Sequence, residues 1–259
     1  GSELGNVNAI GMIMGIAATF CFYMILTEKK RRYVLYFIMI SALILFTGSR
    51  KALFFIFMNI ALIMFFINKD KAKGILKFAV IVLLLLLILY FLIFNIDFLY
   101  QIIGKRMENI FFFLTGRDSR EGSVDTRFHM IKSGMEMFKN SPLIGHGIDN
   151  YRVLYRQVPG GRETYAHNNF IELLVDTGVF GALLYLLGHI VVLKSLFSAA
   201  KITTEKTVFY IFIALIVSYL ILSIALIYYD SKHFSFLIAV ASVMGRIAGL
   251  DGRKAHNKT

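Results

Sequence analysis

Cysteine is nearly missing from this 259-residue chain, with Cys21 its only example. A lone thiol excludes a disulfide framework within the chain and any metal site built from several cysteines. Lying in an apolar run, Cys21 reads as a packing residue. Proline is almost as scarce, and both Pro142 and Pro159 fall in one polar stretch from about Asp97 to Phe170. Charged residues make up only 17% of the chain. The first apolar run has no basic segment before it and starts too near the N-terminus to be a secretory signal. The chain opens on Gly1-Ser2 without a start methionine, which suits either a cloning scar or the C-terminal portion of a longer protein. No internal repeat is visible.

What the chain has in abundance is apolar surface, with 58% hydrophobic and 15% aromatic residues. Seven candidate spans emerge, at about 7–26, 33–48, 51–68, 75–95, 172–193, 207–228 and 234–250. Helices are the default for such runs, because every backbone polar group in lipid needs an internal partner. The expected fold is therefore all-α, a polytopic transmembrane helix bundle with a long extracytoplasmic loop containing amphipathic helices. Residues 1–95 would hold four spans, 96–170 the loop, and 171–259 three spans and a cytoplasmic tail.

The formal charge of +12 does not point to nucleic acid, because the basic residues cluster in short loops at helix ends. Lys29 to Arg32, Lys69 to Lys73, Lys194 to Lys206 and Arg246 to Lys258 alternate onto one side, which the positive-inside rule makes cytoplasmic. The other side receives the Thr47–Lys51 turn, the polar stretch and the Tyr229–His233 turn. A loop of that length is largely exempt from the rule despite its arginines. It is not a disordered linker, since Phe128, Ile131, Met135 and Phe138 recur at helical spacing. They predict an amphipathic helix lying on the membrane surface or packed on the bundle. Ser141-Pro142-Leu143-Ile144-Gly145-His146-Gly147 then breaks it.

Several residues on that expected outer side could carry chemistry. His167 precedes the span near 172–193, so it sits by a helix N-terminus, which disfavours imidazolium and keeps the ring able to accept a proton. A capping or interface histidine is the competing reading. Ser49 is a plausible N-cap for the span near Lys51, which puts Arg50 in the first helical turn beside free backbone N–H groups, an arrangement suited to phosphate. Arg50 could equally reach to lipid headgroups. Arg127 combines a guanidinium with the start of the amphipathic helix, or forms a surface ion pair with Asp125 or Glu121. Arg120, Arg152, Arg156 and Arg162 are weaker versions of the same idea. The Gly145–Asn150 segment lacks the preceding strand and the Gly-Lys-Ser/Thr ending of a nucleotide loop, so it reads as a tight turn. His129, His146 and His167 are too scattered for metal ligation, and His189 inside a span reads as a packing or interhelical hydrogen-bonding residue.

Four stretches together resemble the O-antigen ligase and O-antigen polymerase superfamily of bacterial envelope glycosyltransferases. They are Gly5-Asn6-Val7-Asn8-Ala9-Ile10-Gly11, Thr47-Gly48-Ser49-Arg50-Lys51-Ala52, the segment from Arg127 to Asn150, and Ala166-His167-Asn168 with Glu172, Gly178 and Gly181 after it. The tryptophan that family members usually carry after the arginine matching Arg127 is absent here.

The resemblance implies metal-independent transfer of a saccharide from a polyprenyl diphosphate to an acceptor hydroxyl, without a cofactor. His167 would remove the acceptor proton, and Arg50 and Arg127 would hold the diphosphate as it leaves. Ser49, Asn168, Arg156 and Arg162 would line the substrate. Implied partners are the polyprenyl-diphosphate-linked oligosaccharide and membrane lipids, with a flippase and a chain-length regulator as further candidates and no nucleic acid. The site would face outward from a bacterial plasma membrane. An Ile-, Phe- and Lys-rich composition favours polymerisation of capsular or O-antigen repeat units, with ligase-type transfer as the alternative. A lipid-linked glycan flippase would need ionisable residues at mid-membrane depth, and the spans are almost free of them. A glycan-binding sensor or scaffold is a third class.

Overall fold

A computed structural model of the chain describes residues 7–68, 80, 91, 95 and 123–256. The expected span at 75–95 lies outside the described residues but for three positions. Arg106, Arg117, Arg120 and Lys69 to Lys73 lie outside them altogether. Among the described residues every regular element is helical. The helices are α1 (Val7–Glu28), α2 (Arg31–Thr47), α3 (Arg50–Asn68), α4 (Ser123–Asn140), α5 (Tyr151–Gln157), α6 (Asn169–Ile202), α7 (Lys206–Leu222) and α8 (Lys232–His256). Among the described residues three stretches, Asn8–Glu28, Arg50–Asn68 and Asn169–Ile202, are long and apolar enough to cross a membrane. The fold is an all-α membrane helix bundle.

The span expected at 207–228 stops short, since α7 ends at Leu222. The apolar pattern continues through Leu226, but the backbone finds other partners. The Ser223 carbonyl accepts the Asn169 N–H at 2.8 Å, and Ile224 and Ala225 bond only three residues back. A distant segment thus overrides a locally favourable helix.

Contacts divide the chain into two compact units. The first comprises Gly1–Glu108, Leu196–Ser218 and Met244–Thr259. Within it α1 packs on both α2 and α3. A Cβ at Gly11 would come within 2.8 Å of the Ala52 Cβ, and one at Gly15 within 2.7 Å of the Phe55 ring. Small residues at these two points let the helices approach closely, which is how apolar helices associate where lipid offers no hydrophobic drive. Phe66 stacks on Tyr210 and meets Phe197 edge-on, and Phe20 meets Phe212.

The second unit comprises Asn109–Ser195 and Tyr219–Val243. Its core gathers Met130 and Met137 of α4, Tyr151 and Tyr155 of α5, Ala166, and Val175 of α6. The amphipathic α4 forms. Met130, Ser133, Gly134 and Met137 point inward, while Phe128 and Met135 are exposed. Gly134 decides the register, because a Cβ there would lie 2.5 Å from Ile171. The notch in the helix admits Ile171 of α6, and Met130, Met137 and Phe138 join the same core.

Candidate active site

The start of α6 concentrates unusual chemistry. Asn168 caps it, its side-chain oxygen accepting the N–H groups of Phe170 and Ile171 at 3.0 and 3.1 Å. Glu172, only 5% exposed, reaches back one turn to accept the Ala166 N–H at 2.6 Å. Between these two anchors His167 adopts a left-handed conformation, with φ 54°. Non-glycine residues seldom hold that geometry unless their surroundings impose it. The Tyr165 ring lies against His167 with centroids 4.1 Å apart. Partial burial raises the Tyr165 pKa, and the positive charge of Arg127 opposes that rise. Arg127, exposed on the first turns of α4, is thus within electrostatic reach of Tyr165. The two halves of the polar stretch converge here.

Ten residues into α6 the helix breaks. Gly178 has φ 63° and ψ −169°, a backbone region that is essentially glycine-only. The break frees the carbonyls of Val175 and Asp176 and the N–H groups of Val179 and Phe180. The Pro142–Gly147 loop takes up all four. His146 N–H donates to Val175 O and Gly147 N–H to Asp176 O, both at 2.8 Å. In return Val179 N–H donates to Pro142 O at 2.8 Å and Phe180 N–H to Leu143 O at 3.2 Å. Close approach of the two backbones leaves no room at Gly145, where a Cβ would lie 2.4 Å from the Asp176 carbonyl carbon. The His146 ring bonds the Met137 carbonyl at 2.8 Å, tying the loop to α4. The segment is thus a tight turn, but one built to fit a broken helix.

Asp176, 1% exposed, is the hub below this junction. One carboxylate oxygen accepts the Tyr151 N–H at 2.8 Å; the other accepts the Asp149 N–H at 2.8 Å and the Tyr229 hydroxyl at 2.7 Å. Burial, and donation to that carboxylate, push the Tyr229 phenol far above its ordinary pKa, so it stays a donor. Fully buried Asn169 completes the junction by accepting the Tyr228 and Tyr229 N–H groups, both at 2.8 Å. The loop, α5, the head of α6 and the turn after α7 are locked together by hydrogen bonds from backbone and side chains alike.

In the first unit, Ser49 precedes α3 and Arg50 opens it. The Ser49 hydroxyl is buried, donates to Asn8 Oδ1 at 3.0 Å and accepts the Ala52 N–H at 3.4 Å, so it serves as the helix cap. Arg50 is half-buried in the first turn. In the second unit Arg156 pairs with Glu163 at 3.5 Å with both side chains exposed, and Arg152 pairs with Asp149. Arg162 is also exposed. Exposed pairs of this kind contribute little to stability. Among the described residues no cluster of three or more His, Cys, Asp or Glu side chains could hold a metal ion.

The family model for O-antigen ligase matches residues 35–186, from α2 to the middle of α6. The chain belongs to that family. No curated protein matches it. Membership carries glycosyltransferase-type activity in a membrane protein, and the matched region takes in Arg50, Arg127, His167 and the Pro142–Gly147 loop with the Gly178 break that it fits. Within this O-antigen ligase family chain, reasoning from sequence picked out His167 but assigned no role to Glu172, Asp176 or Asn169. One signal was present: two carboxylates four residues apart at the mouth of an apolar run must be satisfied internally if they are buried. Their partners lie up to 53 residues away for Asp176, beyond any local pattern.

Proposed function

We propose that the chain transfers a saccharide from polyprenyl diphosphate to an acceptor hydroxyl on the extracytoplasmic face of a bacterial plasma membrane, polymerising lipid-linked repeat units of a capsular or O-antigen polysaccharide. His167 takes the proton from the acceptor hydroxyl as its oxygen attacks the anomeric carbon. The bond from that carbon to the diphosphate breaks, and the diphosphate leaves on its polyprenyl chain. Arg50 and Arg127 bind the diphosphate and stabilise the charge that grows on it. Asn168, Ser49, Arg156 and Arg162 belong to the substrate's surroundings, and no metal or cofactor takes part. The observation that carries the reading is His167, held in a left-handed conformation against Tyr165 at the Asn168-capped start of α6. A base at a helix N-terminus, beside a tyrosine that feels the charge of Arg127, suits a reaction that removes a proton while a phosphate departs.

The test is transfer by the purified protein with lipid-linked repeat units as both donor and acceptor, followed by the length distribution of the glycan. His167→Ala is expected to abolish elongation while donor binding persists. Elongation at the parental rate in His167→Ala would refute the base assignment. Glycan appearing on a different acceptor class, with no lengthened lipid-linked product, would convert the reading to ligase-type transfer.

A further inference from the structure

The Pro142–Gly147 loop has a second property that its docking role does not require. Leu143 and Ile144 are 59% and 75% exposed, though they are its two largest apolar side chains. Both lie beside α6 at the Gly178 break: the Leu143 carbonyl accepts the Phe180 N–H, and the Ile144 nitrogen would sit 2.6 Å from a Cβ on Gly178. Phe180 is exposed too, as are Leu183 and Leu184 further along the same helix. The apolar surface of a helix long enough to cross a membrane therefore continues onto the loop. No Lys, Arg, Asp or Glu occurs from Ser141 to Gly147, whereas Lys139 precedes the loop and Asp149 and Arg152 follow it.

We propose that Leu143 and Ile144 insert among the acyl chains of the bilayer, making the loop a wedge that anchors the second unit at the membrane interface. The occupant of this surface is lipid because the exposed flank of α6 with which it is continuous is the flank of a membrane span. Irregular backbone enters lipid only when its polar groups are satisfied within the protein. Much of this loop's polar backbone is satisfied in that way. The Leu143 and Ile144 N–H groups and the Ile144 carbonyl are not among the bonded groups, so it is the two side chains, and not their backbone, that reach the acyl chains. Pro142 has no N–H, the Pro142 and Leu143 carbonyls accept from α6, and the Gly145 carbonyl accepts the Ser141 hydroxyl at 2.7 Å. The His146 ring is turned to the Met137 carbonyl.

The test uses the whole chain with Cys21→Ser and a single new cysteine at Ile144, labelled with an environment-sensitive dye and reconstituted in phosphatidylcholine–phosphatidylglycerol vesicles. Leu184→Cys and Arg156→Cys serve as lipid and water references. The wedge requires Ile144→Cys to give blue-shifted emission that doxyl-labelled acyl chains quench, as at Leu184→Cys. Red emission quenched by aqueous iodide, as at Arg156→Cys, overturns it. So does blue emission that doxyl lipid leaves untouched, which would mean protein covers the site, whether a second copy or another part of this chain. Failure of doxyl lipid to quench Leu184→Cys would remove the span on which the proposal rests, and the proposal with it.

Discussion

Replacing Gly178 with alanine asks whether the broken helix and the loop depend on each other. Two responses are open to the chain. If the break persists, alanine must hold φ 63° and ψ −169°, at a cost of about 1–3 kcal/mol. Its Cβ would also lie 2.3 Å from the Leu143 carbonyl oxygen, which must move. If instead the helix straightens, Val179 and Phe180 recover ordinary bonds to Val175 and Asp176, and the loop loses its four partners. At a net ~0.5–1.5 kcal/mol each, those bonds amount to about 2–6 kcal/mol. Either way docking weakens by about 3 kcal/mol, which is about a hundredfold in the opening equilibrium. Amide hydrogen exchange reads this directly at His146 and Gly147, whose N–H groups bond only across the junction. Both should exchange about a hundredfold faster in Gly178→Ala. Gly188→Ala is the matched control, because nothing lies within 4 Å of a Cβ there. Equal protection of His146 and Gly147 in the two variants would show that the loop is held by something other than the break.

Other outcomes follow from the same geometry. Glu172→Ala removes the acceptor of the Ala166 N–H and should lower turnover more than donor affinity, while Glu172→Gln, which keeps a carbonyl oxygen, should recover most of it; parallel loss in both would sink the positional role. Asn169→Ala strands the N–H groups of Tyr228 and Tyr229, at about 1–3 kcal/mol each, and should lower the melting temperature in detergent. Retention of that temperature would mean the turn after α7 has other support. Arg50→Ala and Arg127→Ala should each weaken binding of the lipid-linked donor, and unchanged affinity in both by equilibrium binding would refute their assignment to the diphosphate.

The helix ends of the first unit were legible because composition changes abruptly there. Charge separates α1 from α2 at Lys29 and Lys30, and Gly48-Ser49 separates α2 from α3. Ser49 as a cap could be read for the same reason, since capping depends on a few adjacent residues. The position of His167 just before a helix was equally local. The inward face of α4 was legible only in part: Phe138 packs against the core and Ile131 is partly buried, but the notch at Gly134 that admits Ile171 could not be read, and Phe128 and Met135 stay exposed. The end of α7 was not legible, for there Asn169 from a remote helix draws the chain into a turn. Gly178 was visible, but its consequence was not: a glycine in an apolar run shows no kink until the loop that completes it is known. Those parts of the site that rest on bonds between distant segments were the parts that sequence could not supply.

The Asn169–Asp176 junction also has an order of assembly written into it. The Pro142–Gly147 loop and the amides of Asp149 and Tyr151 are synthesised before α6, so the partners for its break are waiting when the helix emerges. The amides that bond Asn169 come from Tyr228 and Tyr229, 59 and 60 residues later. Until α7 has been made and the chain has turned back, the head of α6 carries a buried amide and part of a buried carboxylate without their final partners. The His167 region therefore reaches its finished form only after Tyr228 and Tyr229 have left the ribosome, and a chain stopped between α6 and α7 would hold the loop but not the completed site.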